Sequence, residues 1–347
     1  MNDVALILHP ECLAHETGRH PERPARLQAI WDALQAAPLP TSVSWPTPSP
    51  ATLPQVLRVH RPELVDAVRA LAARGGGMLD QDTVVSRRSF AAAVIAAGGA
   101  IQAVQTAWEN PGRRTFALMR PPGHHATPAN AMGFCLFNNV AIAVRAALEE
   151  QGAQRVAIVD FDVHHGNGTQ AAFDGDPRVL FCSLHQFPLY PGTGRAEEIG
   201  TGAASGLTVN LPLPPGCGDR AYRAAFEQVV EPLVRRFRPE LIVVSAGFDA
   251  HWADALVTQD TQMRVSTSGF VAMARSLADL ADGLCGGRFA LSLEGGYDLK
   301  ALSSSVVAVV QALAGATPRD VLGPPPDGEL ENIAPLLDRV RRLHGLG

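Results

Sequence analysis

The segment Asp160-Phe161-Asp162-Val163-His164-His165-Gly166-Asn167-Gly168 sets two carboxylates and an imidazole at every second position. If the chain stays extended, Asp160, Asp162 and His164 share one face. A further acid, Asp249, ends the run Ser245-Ala246-Gly247-Phe248-Asp249. Asp162, His164 and Asp249 make a set of three ligands with a fourth position open, as in catalytic zinc sites. Oxygen-rich ligands also suit Fe(II) or Mn(II). His124 and His125 follow a Pro-Pro-Gly turn. A neutral imidazole beside a metal-activated water is a suitable general base near pH 7. Glu294-Gly295-Gly296-Tyr297 puts a phenol on a glycine-hinged loop that can bring its hydroxyl to a polarised carbonyl oxygen. Each residue has a plainer reading. Strand-end acids cap turns, loop histidines are solvated, and a buried tyrosine satisfies its hydroxyl within the core. Cys135 competes as a nucleophile, but a cysteine in an apolar run is more often inert.

These groups follow short apolar runs, and such runs recur along the chain. They are Val4–His9, Thr115–Arg120, Val156–Asp162, Val179–His185, Leu207–Leu213, Leu241–Phe248 and Phe289–Glu294. Helical stretches fall between them, at Pro21–Ala36, Pro62–Arg74, Phe90–Glu109, Asn138–Gln151, Asp219–Phe237, Ser268–Gly283 and Leu299–Ala314. Strands alternating with helices predict βαβ units on a parallel sheet, and continuous apolar strands predict a sheet covered on both faces. Ligands then bind beyond the carboxyl ends of the strands. Four of those ends carry the groups named above. The proline-rich stretches Pro38–Pro54 and Pro318–Gly328 read as surface loops, the second leading into a last helix, Leu330–Leu343.

The 347 residues suit one large α/β domain, with a core over about 5–315 and a C-terminal helix over about 330–343. Apolar residues are 46% and charged residues 18%, which excludes a disordered chain and a coiled coil. A net charge of −5 without a Lys/Arg cluster argues against a nucleic-acid binder. Five scattered cysteines with no C-x-x-C pair argue against a disulfide framework and a Cys-rich zinc site. No signal peptide and no uninterrupted apolar run of membrane length is present, so the expectation is a reduced, cytoplasmic protein with no membrane partner. Oligomeric state is not readable from the sequence.

R-P-P-G-H-H at 120–125, G-F-C-L-F-N-N at 133–139, D-F-D-V-H-H-G-N-G-T-Q at 160–170, S-A-G-F-D at 245–249 and L-E-G-G-Y at 293–297 resemble the zinc-dependent histone deacetylase family. So does the opening H-E-T-G-R-H-P-E-R-P-A-R-L at 15–27. Asn167 in H-H-G-N-G is similar to the class II and bacterial deacetylase-like amidohydrolase branch. The resemblance implies a single arginase–deacetylase domain with a central, mostly parallel eight-stranded sheet and helices on both faces. It implies zinc on Asp162, His164 and Asp249, and His125 as the base that later protonates the leaving amine. His124 would tune the electrostatics, with Asp160 pairing to His124 and Asn167 to His125. Tyr297 would donate to the oxyanion, and the Gly133 carbonyl would accept the substrate amide N–H. Phe134 and Tyr190 would wall a narrow channel with Leu256 at its rim, and Asp82 is a candidate rim carboxylate. Potassium would bind at two places, one formed by Asp160, Asp162, His164, Ser183 and Leu184, the other by Phe173, Asp176 and Val179.

The expected reaction is removal of an acetyl or short acyl group from acetyl-lysine in a peptide or protein. The closest rival substrate is an acetylated polyamine or another small N-acetyl amide. A binuclear ureohydrolase would need D-x-H-x-D, but Gly166 holds the last position, leaving only His251 and Asp254 to supply a second metal. A non-enzymatic acyl-lysine binder is disfavoured by His124, His125 and Tyr297 all being present.

Overall fold

The computed structural model describes residues 3–40, 42–254, 261–330 and 332–347. Ten strands are present among them: β1 Val4–Ile7, β2 Val43–Ser44, β3 Gly76–Met78, β4 Val84–Ser86, β5 Arg114–Ala117, β6 Val156–Asp160, β7 Val179–Gln186, β8 Thr208–Leu213, β9 Leu241–Ala246 and β10 Phe289–Leu293. The α-helices are α1 Pro24–Ala36, α2 Leu53–Leu57, α3 Pro62–Ala73, α4 Ser89–Glu109, α5 Asn139–Glu150, α6 Asn167–Phe173, α7 Asp219–Ala225, α8 Glu231–Phe237, α9 Thr267–Cys285, α10 Leu299–Leu313 and α11 Ala334–Leu343.

Eight strands form one sheet in the order β2-β1-β5-β10-β9-β6-β7-β8. Every pairing in it is parallel, so the sheet is wholly rather than mostly parallel. β1, β5, β6, β7, β9 and β10 are buried along their whole length, as their unbroken apolar runs predict for a sheet sandwiched between helices. The order has one consequence for chemistry. β5, β10, β9 and β6 lie side by side, although β5 and β10 are far apart in sequence. The four segments with ionisable groups leave from the carboxyl ends of these four adjacent strands.

Several sequence expectations need correction. Strand β6 stops at Asp160, so the face shared by Asp160, Asp162 and His164 does not exist; the last two sit in a loop. The proline-rich stretch from 38 contains edge strand β2, which pairs with β1 through Val4↔Val43 and Ala5↔Ser44. The β3–β4 hairpin and short α6 were not anticipated, because three-residue strands and a seven-residue helix carry too little periodicity. The helix expected over Asp219–Phe237 is interrupted by a π-helical turn at Phe226–Val230. The last helix starts at Ala334 rather than Leu330, whose main-chain N–H instead bonds Gly216 O at 2.6 Å. Helix α4 is long and apolar enough to cross a membrane by length and composition alone, but 67% of its apolar window is buried within this domain. It is a core helix, packed with α5 and β5.

Candidate active site

Asp162, His164 and Asp249 meet at the carboxyl edge of β6 and β9. Their candidate ligand atoms lie within 4.8 Å of one another. His164 Nδ1 is 3.0 Å from Asp162 Oδ1 and 3.2 Å from Asp249 Oδ2. Two ligand atoms about 2.0–2.1 Å from one tetrahedral ion stand roughly 3.3 Å apart, so the spacing fits. Main-chain donors take the outer oxygens: Gly295 N–H reaches Asp162 Oδ2 at 2.8 Å and Val163 N–H reaches Asp249 Oδ1 at 3.0 Å. Asp249 Oδ2 is buried, and although His164 Nδ1 lies 3.2 Å away, it accepts no well-aligned hydrogen bond. A buried carboxylate oxygen so poorly satisfied is costly unless a cation meets it. The donor set therefore fits a divalent ion held by Asp162, His164 and Asp249.

Two histidines stand beside this set, their ring centres 4.0 Å apart. Both are nearly fully buried. His124 Nδ1 bonds Asp160 Oδ2 at 3.0 Å, and its Nε2 lies 3.8 Å from Asp162 Oδ1. Burial opposes its protonation, but the charges of Asp162 and Asp160 outweigh burial and push its pKa up to about 10. His125 moves the opposite way. Burial, with the positive charge of His124, holds its pKa well below the usual histidine range. Its Nδ1 meets Asn167 Oδ1 at 2.8 Å. An amide oxygen only accepts, so the proton sits on Nδ1 and Nε2 keeps its lone pair. Asn167 opens α6, whose first amides, Gly168 N–H and Thr169 N–H, bond the His124 carbonyl at 2.9 and 3.2 Å. Gly166 has a steric reason to lack a side chain: a Cβ would fall 2.2 Å from Asp160 Oδ2.

Two aromatic rings flank the site, Tyr190 beside His125 and Phe134 beside Tyr297. Tyr190 stands perpendicular to His125 at 5.1 Å and is 38% exposed. Phe134 stands perpendicular to Tyr297 at 5.8 Å. The Gly133 carbonyl accepts the Cys135 thiol at 3.3 Å. Cys135 is buried, and burial raises its pKa well above the usual thiol range, which removes it as a nucleophile. Asp82 is half-buried in the turn between β3 and β4, and burial with the neighbouring Asp80 raises its pKa. Leu256 lies outside the described residues. Ser183 pairs in register with Asp160, and Leu184 follows it on β7. Asp176 N–H bonds Phe173 O at 2.9 Å and Val179 N–H bonds Asp176 O at 3.1 Å. Arg145 and Arg178 occupy the Asp176 carboxylate, so only main-chain carbonyls remain for an ion there. His251 and Asp254 do not form a second metal pair. His251 Nδ1 accepts Ala253 N–H, and Asp254 Oδ2 accepts two main-chain amides.

Four further charged residues, Glu294, Arg120, Glu22 and Arg26, support the site and were given no role from sequence. Glu294 Oε2 accepts Gly123 N–H at 2.6 Å and His124 N–H at 3.1 Å, which anchors the histidine pair to β10. Burial raises the Glu294 pKa to about 7. Arg120 pairs with Glu22 through two bonds of 2.5 and 2.7 Å. Arg26 donates to the Glu294 and Gly296 carbonyls, both at 2.6 Å. All lie in segments whose other residues were singled out. For Arg120 and Glu294 the signal was a charged residue just after an apolar strand; Arg26 in α1 and Glu22 just before it carried no such signal.

A parallel α/β sheet with a carboxylate–imidazole–carboxylate cluster and an opposed histidine pair at its carboxyl edge defines a hydrolytic enzyme built for metal-assisted chemistry. The chain belongs to the histone deacetylase family: the histone deacetylase domain matches residues 20–313. A probable deacetylase of Archaeoglobus fulgidus is 42% identical over 90% of this chain and 86% of its own. The histone deacetylase-like amidohydrolase of Pseudomonas aeruginosa is 39% identical over 85% of this chain and 77% of its own. The crystal structure of the HDA15 HD domain superposes with a TM-score of 0.87 at 36% identity, covering 99% of this chain and 94% of that one. The protein is a deacetylase-family amidohydrolase.

Proposed function

We propose that the protein is a zinc-dependent deacylase that removes an acetyl or short acyl group from the side-chain amine of acetyl-lysine. The observation that carries the reading is the opposed histidine pair, with His125 Nε2 unprotonated beside three converging ligand atoms. Asp162, His164 and Asp249 would hold a divalent ion, which when bound would supply a Lewis acid to polarise an amide carbonyl and acidify water. Fe(II) or Mn(II) would supply the same chemistry. His125 Nε2 accepts the proton of the attacking water and later returns it to the leaving amine. Its burial keeps it neutral and ready to accept. Asn167 holds the ring in the required tautomer, and Asp160 keeps His124 charged beside it. Tyr297 donates its hydroxyl to the developing oxyanion. The Gly133 carbonyl accepts the substrate amide N–H, while Phe134 and Tyr190 flank its alkyl stem. Ser183, Leu184, Phe173, Asp176 and Val179 offer carbonyls for structural potassium. Five unpaired, buried cysteines favour a reducing compartment such as the cytoplasm.

An acetylated polyamine is the second substrate reading. The acidic turn at Asp80 and Asp82 favours it, since its charge is felt at Tyr190. The test is kcat/KM for an acetyl-lysine peptide and for acetylputrescine on one zinc-loaded sample. Preference for the peptide is the expected result. Preference for acetylputrescine would move the substrate to the polyamines, and inactivity on both would overturn the deacetylase reading for these acyl groups.

A further inference from the structure

The segment that carries Tyr297 is tied down group by group. Glu294 N–H bonds Ala246 O at 3.0 Å, and Gly295 O accepts Phe248 N–H at 3.0 Å. Gly295 N–H goes to Asp162. Arg26 takes the carbonyls on either side of Gly295, and its guanidinium lies 4.9 Å from the Tyr297 ring centre. A glycine-rich hinge was expected here, and a clamped strap is found. The last two amides before α10, Tyr297 N–H and Asp298 N–H, both donate to one atom, Asp254 Oδ2, at 2.6 and 3.1 Å.

Asp254 is 3% exposed and lies five residues after Asp249, on the loop that leaves β9. Its carboxylate therefore joins the loop bearing a proposed metal ligand to the main chain of the proposed oxyanion donor. Charged acceptors of main-chain amides make the stronger class of hydrogen bond. The phenol oxygen is the far end of a rigid ring, so displacement at Tyr297 N carries through to the hydroxyl. We propose that Asp254 is the positioning residue for Tyr297: through the two amides it sets the distance between the phenol hydroxyl and the metal-ligand cluster. The proposal rests on the reading of Tyr297 as oxyanion donor.

The chain has three tyrosines, Tyr190, Tyr222 and Tyr297, so 3-fluorotyrosine labelling yields three 19F signals. The Tyr297 signal is the one missing in Tyr297→Phe. Asp254→Ala should shift or broaden that signal and leave the other two in place. Turnover should fall about 10- to 100-fold with KM little changed, as when a supporting partner is lost. Asp254→Asn keeps an oxygen that can accept both amides, so it should recover most of the turnover. In a Tyr297→Phe background, Asp254→Ala should cost almost nothing further, because its effect passes through the missing hydroxyl. A full, additive loss in that background would overturn the proposal, as would an unmoved Tyr297 signal. If Asp254→Ala fails to fold, Asp254→Ser decides, since its shorter side chain cannot hold both amides: a shift confined to the Tyr297 signal with a loss of turnover supports positioning, and an unmoved signal overturns it. If the wild type hydrolyses no acyl amide while the Tyr297 signal still responds to Asp254→Ala, the structural tie stands and the functional reading alone fails.

Discussion

Single atoms account for the division of labour between His124 and His125. The two rings are in contact, yet one faces carboxylates and the other faces an amide oxygen. Electrostatics therefore drive their pKa values apart, one ring toward the charged form and the other toward the neutral one. In the proposed reaction Tyr297 would supply a proton donor of another kind, since burial keeps its phenol far from ionising. Removing one oxyanion donor typically costs 100- to 1,000-fold in rate, about 3–4 kcal/mol. Tyr297→Phe is expected to lower kcat on an acetyl-lysine peptide by about that factor, with the metal content of the purified protein unchanged. Wild-type turnover in this variant would remove Tyr297 from the mechanism.

At the scale of elements, the site is an intersection of strand ends. β5 delivers the histidine pair, β6 the Asp162–His164 loop, β9 Asp249, and β10 the Glu294–Tyr297 strap. Gly295 shows how tightly these meet. A Cβ there would lie 2.1 Å from Asp249 Oδ2 and 2.6 Å from Asp162 Oδ2. Gly295→Ala must displace one carboxylate or the strap. We expect metal affinity to fall by about 10- to 100-fold, the range seen when the surroundings of metal ligands are disturbed. Competition with a zinc chelator measures it, and wild-type affinity would show that the strap has slack. Gly295 thus serves close approach more than hinge motion.

Across the whole molecule, buried ionisable groups make stability depend on pH. His60 is buried, accepting Asn138 N–H on Nε2 and donating from Nδ1 to Thr127 O, and burial lowers its pKa to about 4. The folded protein thus binds this proton less readily than the unfolded chain. The corresponding stability is complete above about pH 6.5 and is lost as pH falls through 4, a loss of order 3 kcal/mol. Glu22 extends the trend downward. Burial works to raise its pKa, but Arg120, His15 and Arg26 outweigh burial and lower it to about 2. Its contribution is complete above about pH 4.5 and disappears toward pH 2. The His60 share is read as the difference in urea-unfolding stability between the wild type and His60→Gln, which should be flat above about pH 6.5 and decline below it. A difference that stays level down to pH 4 would contradict the burial of His60 as a neutral ring.

The sequence by itself determined the fold class, seven of the sheet's eight strands to within three residues at their ends, and the family. It could do so because each interior strand is an unbroken apolar run and each chemical motif follows one directly. It also marked Asp162, His164, Asp249, His124, His125 and Tyr297, since their types and local spacing suit one chemistry. Tertiary structure decided what local spacing cannot carry. Only the strand order makes β5, β10, β9 and β6 neighbours and brings residues more than a hundred positions apart into contact. The family resemblance already implied that Asp160 pairs with His124; tertiary structure adds the reason, that strand β6 ends at Asp160 and the period of two ends with it. The roles of Glu294, Arg26 and Asp254 were hidden for the same reason. Their partners are main-chain amides and carbonyls, which every residue possesses and no sequence pattern distinguishes.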